Sequence, residues 1–166
     1  MNDALTRILI DGTILSAALS VVILGSLYYN PRLWLHDYPK EIQEKVPPIT
    51  PREKRERSVV FVLFLVAIFG TMAYSLAGLR STYGGAVPFL NAYLHFFGVL
   101  SIFNLFDAVV LDLLLLTFMK PKFAVIPGAE GMEYLYYNWG MHLSNFLKGV
   151  IFCAVFSLPF AVVAAL

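Results

Sequence analysis

The sequence predicts an all-α integral membrane protein with four transmembrane helices in an antiparallel up-down bundle. Its 166 residues are 59% hydrophobic and only 14% charged, whereas soluble domains are about half apolar and about a quarter charged. The apolar residues are also collected into four long runs. Each run is long enough to cross about 30 Å of hydrocarbon at about 1.5 Å per residue. We therefore expect a single membrane domain over residues 1–166, with no separate soluble domain.

The four runs define the elements of this domain. The predicted helices cover residues 8–29, 59–79, 89–118 and 141–166, and the loops between the first and second and between the third and fourth cover residues 30–58 and 119–140. In the first loop, Pro39 precedes the stretch KEIQEKV, which predicts a short helix because proline suits a helix start. Leu33, Trp34 and Leu35 beside Arg32 suggest an interfacial membrane anchor.

Basic residues predict the orientation. Loop 30–58 holds seven lysines and arginines and loop 119–140 holds two, while the opposite side has only Arg7 and Arg80. Because cytoplasmic loops carry an excess of basic residues, both loops are expected inside and both termini outside a cell membrane. The net charge of +1 gives no global basic character and so argues against a nucleic-acid partner. The single cysteine, Cys153, excludes an intramolecular disulfide.

Small residues recur every fourth position in the first and fourth runs. The two series are Gly12, Ser16 and Ser20, and Gly149, Cys153, Ser157, Ala161 and Ala165. Such spacing lets helix backbones approach closely in lipid, where no hydrophobic force drives helices together. These positions are therefore predicted to pack against other helices, either within one chain or between subunits.

Polar residues interrupt the third run, FNLFDAVVLDLLLL (103–116). A carboxylate near the bilayer centre costs at least about 2.5–3.5 kcal/mol, so intramembrane acids are functional candidates by default. Asp112 lies eight residues before Lys120, and Lys148 lies eight residues after Gly140. At 1.5 Å per residue both would lie about 12 Å from the loop end of their helices. The sequence therefore predicts an Asp112–Lys148 ion pair.

Asp107 lies deeper than Asp112, by about 7 Å along an α-helix. At 100° per residue the two acids would point about 140° apart, so one lysine could not neutralise both. Asp107 could bind a proton or a cation, or could contact His142 or Asn145. The candidate functional cluster comprises Asn104, Asp107, Asp112, His142, Asn145 and Lys148. The alternative is a buried ion pair that only fixes helix register.

Two further ionisable residues are assigned by their position in the runs. Asp11, near the outer end of the first helix, is expected to be solvated. His95, in the outer half of the third, is expected to be a hydrogen-bonded interior residue.

A metal site is a further possibility. Glu130 and Glu133 fall one turn apart in a predicted interfacial helix after Pro127, at the depth of His142. With Asp112 they form a donor set of suitable composition, although no diagnostic spacing such as H-E-x-x-H is present. The sequence identifies no particular metal and no cofactor.

Three functions fit these observations. The leading hypothesis is transport or permeation of a cation, proton or small polar solute by an oligomer, through a polar cluster that opens to the cytoplasm. The second is a membrane-embedded enzyme for a lipid or lipid-linked substrate at the cytoplasmic interface. The third is an accessory subunit of a membrane complex. The expected partners are the lipid bilayer and either further copies of the chain or another membrane protein.

Overall fold

A computed structural model describes the backbone of residues 2–166 and the side chains of residues 4–166. The described part of the chain contains four long α-helices, a short one and three short 3₁₀ helices in the loops, and no strand occurs in it. The α-helices are α1 (Asn2–Tyr29), α2 (Lys40–Lys45), α3 (Pro51–Tyr83), α4 (Phe89–Phe106) and α5 (Trp139–Ala165). Beyond α4 the third membrane helix continues as a π-helix over Asp107–Met119.

The predicted fold class is confirmed. The four membrane helices are 26 to 33 residues long, and an 18-residue stretch in each has a mean hydropathy of 2.1 to 2.4. Large apolar side chains such as Val21, Phe61 and Ile151 are exposed on the outside of the bundle, as expected for a surface that faces lipid. The side of the membrane on which the loops lie stays a prediction from the basic residues.

α3 begins eight residues before the predicted boundary at residue 59. Thr50 caps this helix start: its side chain accepts from the Glu53 amide, and the Glu53 carboxylate accepts from the Thr50 amide. Arg32 makes a 2.6 Å ion pair with Glu53 and also donates to the carbonyls of Pro47 and Pro48. The basic segment before the apolar run is therefore helical because its first turn is capped and tied to the preceding loop.

The two loops pack on each other in a small hydrophobic cluster. Ile42 of α2 and Ile126 of the second loop are fully buried, and the Tyr38 hydroxyl donates to the Ala124 carbonyl at 2.6 Å. The predicted membrane anchor is wrong, because Leu33 and Leu35 are both buried within the protein. The apolar residues of this cluster therefore pack against the protein, whereas Tyr134 and Tyr137 of the second loop remain exposed.

The small residues pack helices within the chain. A Cβ on Gly12 would overlap Ile102, and a Cβ on Gly149 would overlap the Asn104 amide. Both glycines therefore allow neighbouring helices to approach the third membrane helix closely. Cys153, Ser157 and Ala161 of the same series in α5 are buried, whereas Ala165 is exposed.

Candidate functional site

A cavity of about 360 Å³ lies at the loop end of the bundle. It is bordered by α1, by the segment before α2, by α3, by the last turns of α4, by the π-helix and by the start of α5. Its polar lining residues are Asp37, Tyr38, Asp107, Asp112, Thr117, Tyr136, His142, Asn145 and Lys148. Its apolar lining includes Ile23, Leu27, Trp34, Phe64, Phe103 and Leu111. The five polar residues that the sequence singles out besides Asn104 therefore share one cavity, and the loops add further polar groups.

The π-helix brings the two membrane acids to one face. Hydrogen bonds in a π-helix join residues five apart, so Asp107 and Asp112 lie one turn from each other. The predicted separation of about 140° is therefore wrong, because it assumed α-helical geometry throughout. Thr117, five residues further on, also lines the cavity, and its hydroxyl donates to the Asp112 carbonyl at 2.9 Å. A run of π-helix at a site of clustered acids agrees with the frequent occurrence of π-geometry at functional sites.

His142 lies opposite Asp112, and hydrogen bonds to the protein determine its orientation. Its Nε2 is 2.8 Å from the Tyr136 carbonyl and 3.1 Å from the Thr117 hydroxyl oxygen. A carbonyl oxygen can only accept, so Nε2 carries the proton. Nδ1 is buried, has no hydrogen-bond partner in the described part of the chain, and lies 3.9 Å from Asp112 Oδ2.

That 3.9 Å gap is chemically informative. In the neutral histidine Nδ1 is an acceptor, and an ionised Asp112 is an acceptor as well. A proton shared between the two residues, or the O–H or N–H of a bound molecule, would satisfy both. The pair can therefore take a proton from a ligand and stabilise the resulting imidazolium.

The predicted Asp112–Lys148 pair is wrong. Asp112 faces His142, and no ion pair within 4 Å joins Lys148 to any residue whose side chain is described. A π-helix advances less per residue than an α-helix, so Asp112 lies nearer the loop end than 1.5 Å per residue implies. Lys148 and Asn145 instead line the cavity while remaining exposed on the outer face of α5.

Asn104 belongs to helix packing and does not line this cavity. Its side-chain amide donates to the Phe146 carbonyl at 3.3 Å and lies against Gly149. Asp107 differs, because its carboxylate makes no hydrogen bond or ion pair with the described residues although it lines the inner part of the cavity. Asp107 is therefore the acid left free for a ligand.

The four candidate metal ligands are not brought together. No group of three or more histidine, cysteine, aspartate or glutamate side chains suited to a metal occurs over the described side chains, residues 4–166. Glu130 accepts from the Gly128 amide and Glu133 from the Gly131 amide, so both glutamates close turns at the surface. The hydrogen bond from the Gly128 amide lowers the pKa of Glu130. Only Asp112 and His142 of the proposed set face each other.

Sequence reasoning missed the contribution of the loops. Asp37, Tyr38 and Tyr136 line the cavity, although the sequence suggested only surface or interfacial positions for this region. Burial raises the pKa of Tyr136 to about 12 and also raises the pKa of Tyr38, so both phenols are neutral hydrogen-bond donors at physiological pH. Thr117 had a signal in the sequence, since Asp107, Asp112 and Thr117 are spaced by five.

A second polar cluster lies in the other half of the bundle and corrects the prediction for Asp11. Asp11 is buried, with 1% of its surface exposed, and the Ser75 hydroxyl donates to its carboxylate at 2.6 Å. His95 Nε2 lies 2.7 Å from Ser75 Oγ and 3.3 Å from Asp11 Oδ2, and Arg7 Nε lies 3.7 Å from the same oxygen. The prediction that His95 is a hydrogen-bonded interior residue is confirmed.

Comparison with family models, with characterised proteins and with solved structures yields no match. The interpretation of the site therefore depends on its geometry.

Proposed function

We propose that the protein is a membrane-embedded enzyme that acts on a lipid or lipid-linked substrate at the loop side of the membrane. The observation that carries this proposal is the His142–Asp112 pair, with an unpartnered Nδ1 in the described part of the chain that faces a cavity with both apolar and charged walls. An amphipathic molecule matches such a lining, because its chain contacts the apolar wall while its polar bond reaches the charged groups.

In this proposal His142 is the general base. Nδ1 takes a proton from a hydroxyl group or a water molecule, and Asp112 stabilises the imidazolium that forms. Thr117 and the Tyr136 carbonyl hold Nε2–H, so they select the tautomer in which Nδ1 is free. The oxygen that loses its proton attacks a polar bond near the headgroup, and the imidazolium returns the proton to the leaving group as that bond breaks. The reaction class is therefore hydrolysis or group transfer.

The way the cavity opens supports access from lipid. Asn145 and Lys148 are exposed on α5, and Phe64 of α3 borders the same cavity. The aromatic contacts between these helices join Phe69 to Phe156 and Phe160, further toward the opposite membrane face. The space between α3 and α5 at the loop end is therefore the proposed route for a substrate within the bilayer. Lys148, at the rim, would contact an anionic part of the headgroup.

Transport of a proton or cation is the second candidate, and Asp107 favours it. This carboxylate lies at the inner part of the cavity with no protein partner in the described part of the chain. The cavity lining reaches Phe103, and buried apolar residues such as Phe96 and Val99 occupy the bundle beyond it. Transport through a single chain would require this core to open. A path formed between subunits would avoid that opening and is therefore the preferred form of the transport alternative.

Location and assembly belong to the same proposal. In this proposal the protein lies in the cell membrane with its basic loops inside, and self-association or a membrane-protein partner would cover the exposed Asn145 and Lys148 of α5. If a partner protein bound tightly at Asn145 and Lys148 and filled the cavity, the chain would be an accessory subunit of a membrane complex.

Turnover of defined lipids tests the enzyme proposal. Purified protein in vesicles of phosphatidylethanolamine, phosphatidylglycerol and a polyprenyl phosphate would be incubated and the lipids followed by mass spectrometry. We expect a product that His142→Gln abolishes, because glutamine cannot take the proton. His36→Gln is the matched control, since His36 also lies beside an aspartate, Asp37 at 3.2 Å, but is exposed.

The same vesicles separate the two candidates. A pH-sensitive dye inside them would report proton flux. Flux that requires Asp107, together with no lipid conversion, would replace the enzyme proposal by the transport alternative.

A further inference from the structure

A second cavity adjoins the first at the membrane boundary. Its volume is about 470 Å³, and it lies between the segment before α2 and the first part of α3. Trp34 and Phe64 line both cavities and separate them. Neither His142 nor Asp112 lines the second cavity. A role for this cavity is therefore independent of the chemistry proposed for the first cavity.

The polar and apolar walls of this cavity are segregated along α3. Arg57 and Ser58 lie at one end, while Val60, Phe61 and Phe64 follow one to two turns later. α3 has 33 residues and is about 50 Å long, which exceeds the roughly 30 Å of hydrocarbon. Arg57 is the last charged residue before the apolar run 59–79. The polar end therefore lies at headgroup depth and the apolar end in the acyl region.

Arg57 is available for a ligand. It is half-buried and makes no ion pair within 4 Å in the part of the chain whose side chains are described. Asp37 interacts electrostatically with Arg57 from beyond ion-pair distance, and its carboxylate contacts His36 at 3.2 Å. Two other arginines at this end are engaged, because Arg32 pairs with Glu53 and Arg52 pairs with Glu56.

We propose that this cavity binds an anionic phospholipid, with the phosphate on Arg57 and one acyl chain along Val60, Phe61 and Phe64. A guanidinium forms charge-assisted hydrogen bonds with phosphate oxygens. The Ser58 hydroxyl donates to the Lys54 carbonyl at 3.0 Å, so the Arg57 guanidinium is the donor that this end of the cavity offers. The order of polar and apolar groups along α3 matches the order of headgroup and chain in a lipid. The bound lipid would connect the loop cluster to the bundle at Trp34.

Lipid retention measured by native mass spectrometry tests this site. The protein would be purified in detergent micelles with phosphatidylglycerol and phosphatidylcholine in equal trace amounts, which removes the general attraction of an anionic membrane surface. We expect one phosphatidylglycerol retained preferentially, and about tenfold less preference in Arg57→Gln, because a hydrogen bond to a charged group is worth about a factor of ten.

Arg55→Gln is the matched control. It removes the same charge from the same helix, but Arg55 is exposed and does not line the cavity. We expect its lipid preference to stay within about twofold of the parent, as for a surface charge outside the binding site. Equal losses in the two variants would overturn the proposal in favour of nonspecific attraction to a basic surface.

Two additional experiments test where the lipid binds and whether the site recognises the lipid or a free anion. Val60→Trp would fill the apolar end of the cavity and leave Arg57 in place, so it should displace phosphatidylglycerol. If this variant binds as much phosphatidylglycerol as the parent, the cavity is not the binding site. Inorganic phosphate at millimolar concentration should not compete. If phosphate alone displaces the lipid completely, the site binds a free anion and the lipid proposal fails.

Discussion

The two halves of the bundle each hold an aspartate and a histidine, but the two pairs differ in burial and in hydrogen bonding. In the half away from the loops, Asp11 and His95 are almost fully buried and both bond to Ser75. In the loop half, Asp112 and His142 lie 3.9 Å apart without a hydrogen bond and face a cavity. Burying polar groups costs free energy unless they bond to each other. The first pair is therefore structural, and the second leaves its hydrogen-bonding capacity for a ligand.

Removing Asp11, the acid of the buried and hydrogen-bonded pair, should have the largest effect on stability. Asp11→Ala leaves His95, Ser75 and the nearby Arg7 without their carboxylate partner, which should lower the free energy of unfolding by about 3–5 kcal/mol. Unfolding in detergent followed by circular dichroism measures this loss. Asp112→Ala, at the open pair, is the comparison and should cost far less. Similar losses in both variants would mean that the two halves do not differ as argued.

Adding a methyl group at a close contact between helices should have the next largest effect. Gly149→Ala would overlap the Asn104 amide and should cost about 1–3 kcal/mol. Gly70→Ala is the control, because nothing lies within 4 Å of the position that its Cβ would take and alanine favours a helix. The same unfolding assay would contradict the packing assignment if Gly149→Ala proved as stable as Gly70→Ala.

A smaller effect is expected in the loop cluster above the cavity. Tyr38→Phe removes the hydrogen bond to the Ala124 carbonyl and should cost about 1 kcal/mol. Tyr137→Phe is a control at an exposed tyrosine of the second loop. Faster proteolysis of the loops in Tyr38→Phe alone would support their mutual packing, and equal rates would argue that the loops do not hold each other.

The smallest effect on stability is expected at Asp107. Asp107→Asn keeps the shape of a side chain without a partner among the described residues, so folding and assembly should be unchanged within about 0.5 kcal/mol. Asparagine neither titrates nor carries charge, so the variant should lose proton flux or lipid turnover, whichever the protein supports. Unchanged activity would make Asp107 part of the scaffold and remove the main support for the transport alternative.

The sequence by itself determined the four spans, because their length and apolar composition leave no other way to satisfy the backbone in lipid. It also grouped Asn104, Asp107, Asp112, His142, Asn145 and Lys148 as one polar cluster, since such residues are rare within apolar runs. All of them except Asn104 line the same cavity. The start of α3 was placed too late because the charged residues 51–58 gave no apolar signal, although the Thr50 and Glu53 capping box was present in the sequence.

Only the tertiary structure decided which of these residues face each other. The π-helix that begins at Asp107 turned Asp112 toward His142 and away from the predicted partner Lys148, and periodicity at 100° per residue could not anticipate that change. Asp11 became buried because Ser75 and His95 from two other helices meet it. Hydrogen-bond partners distant in the chain determine the burial of a polar side chain, and their meeting depends on helix packing, which local sequence does not encode.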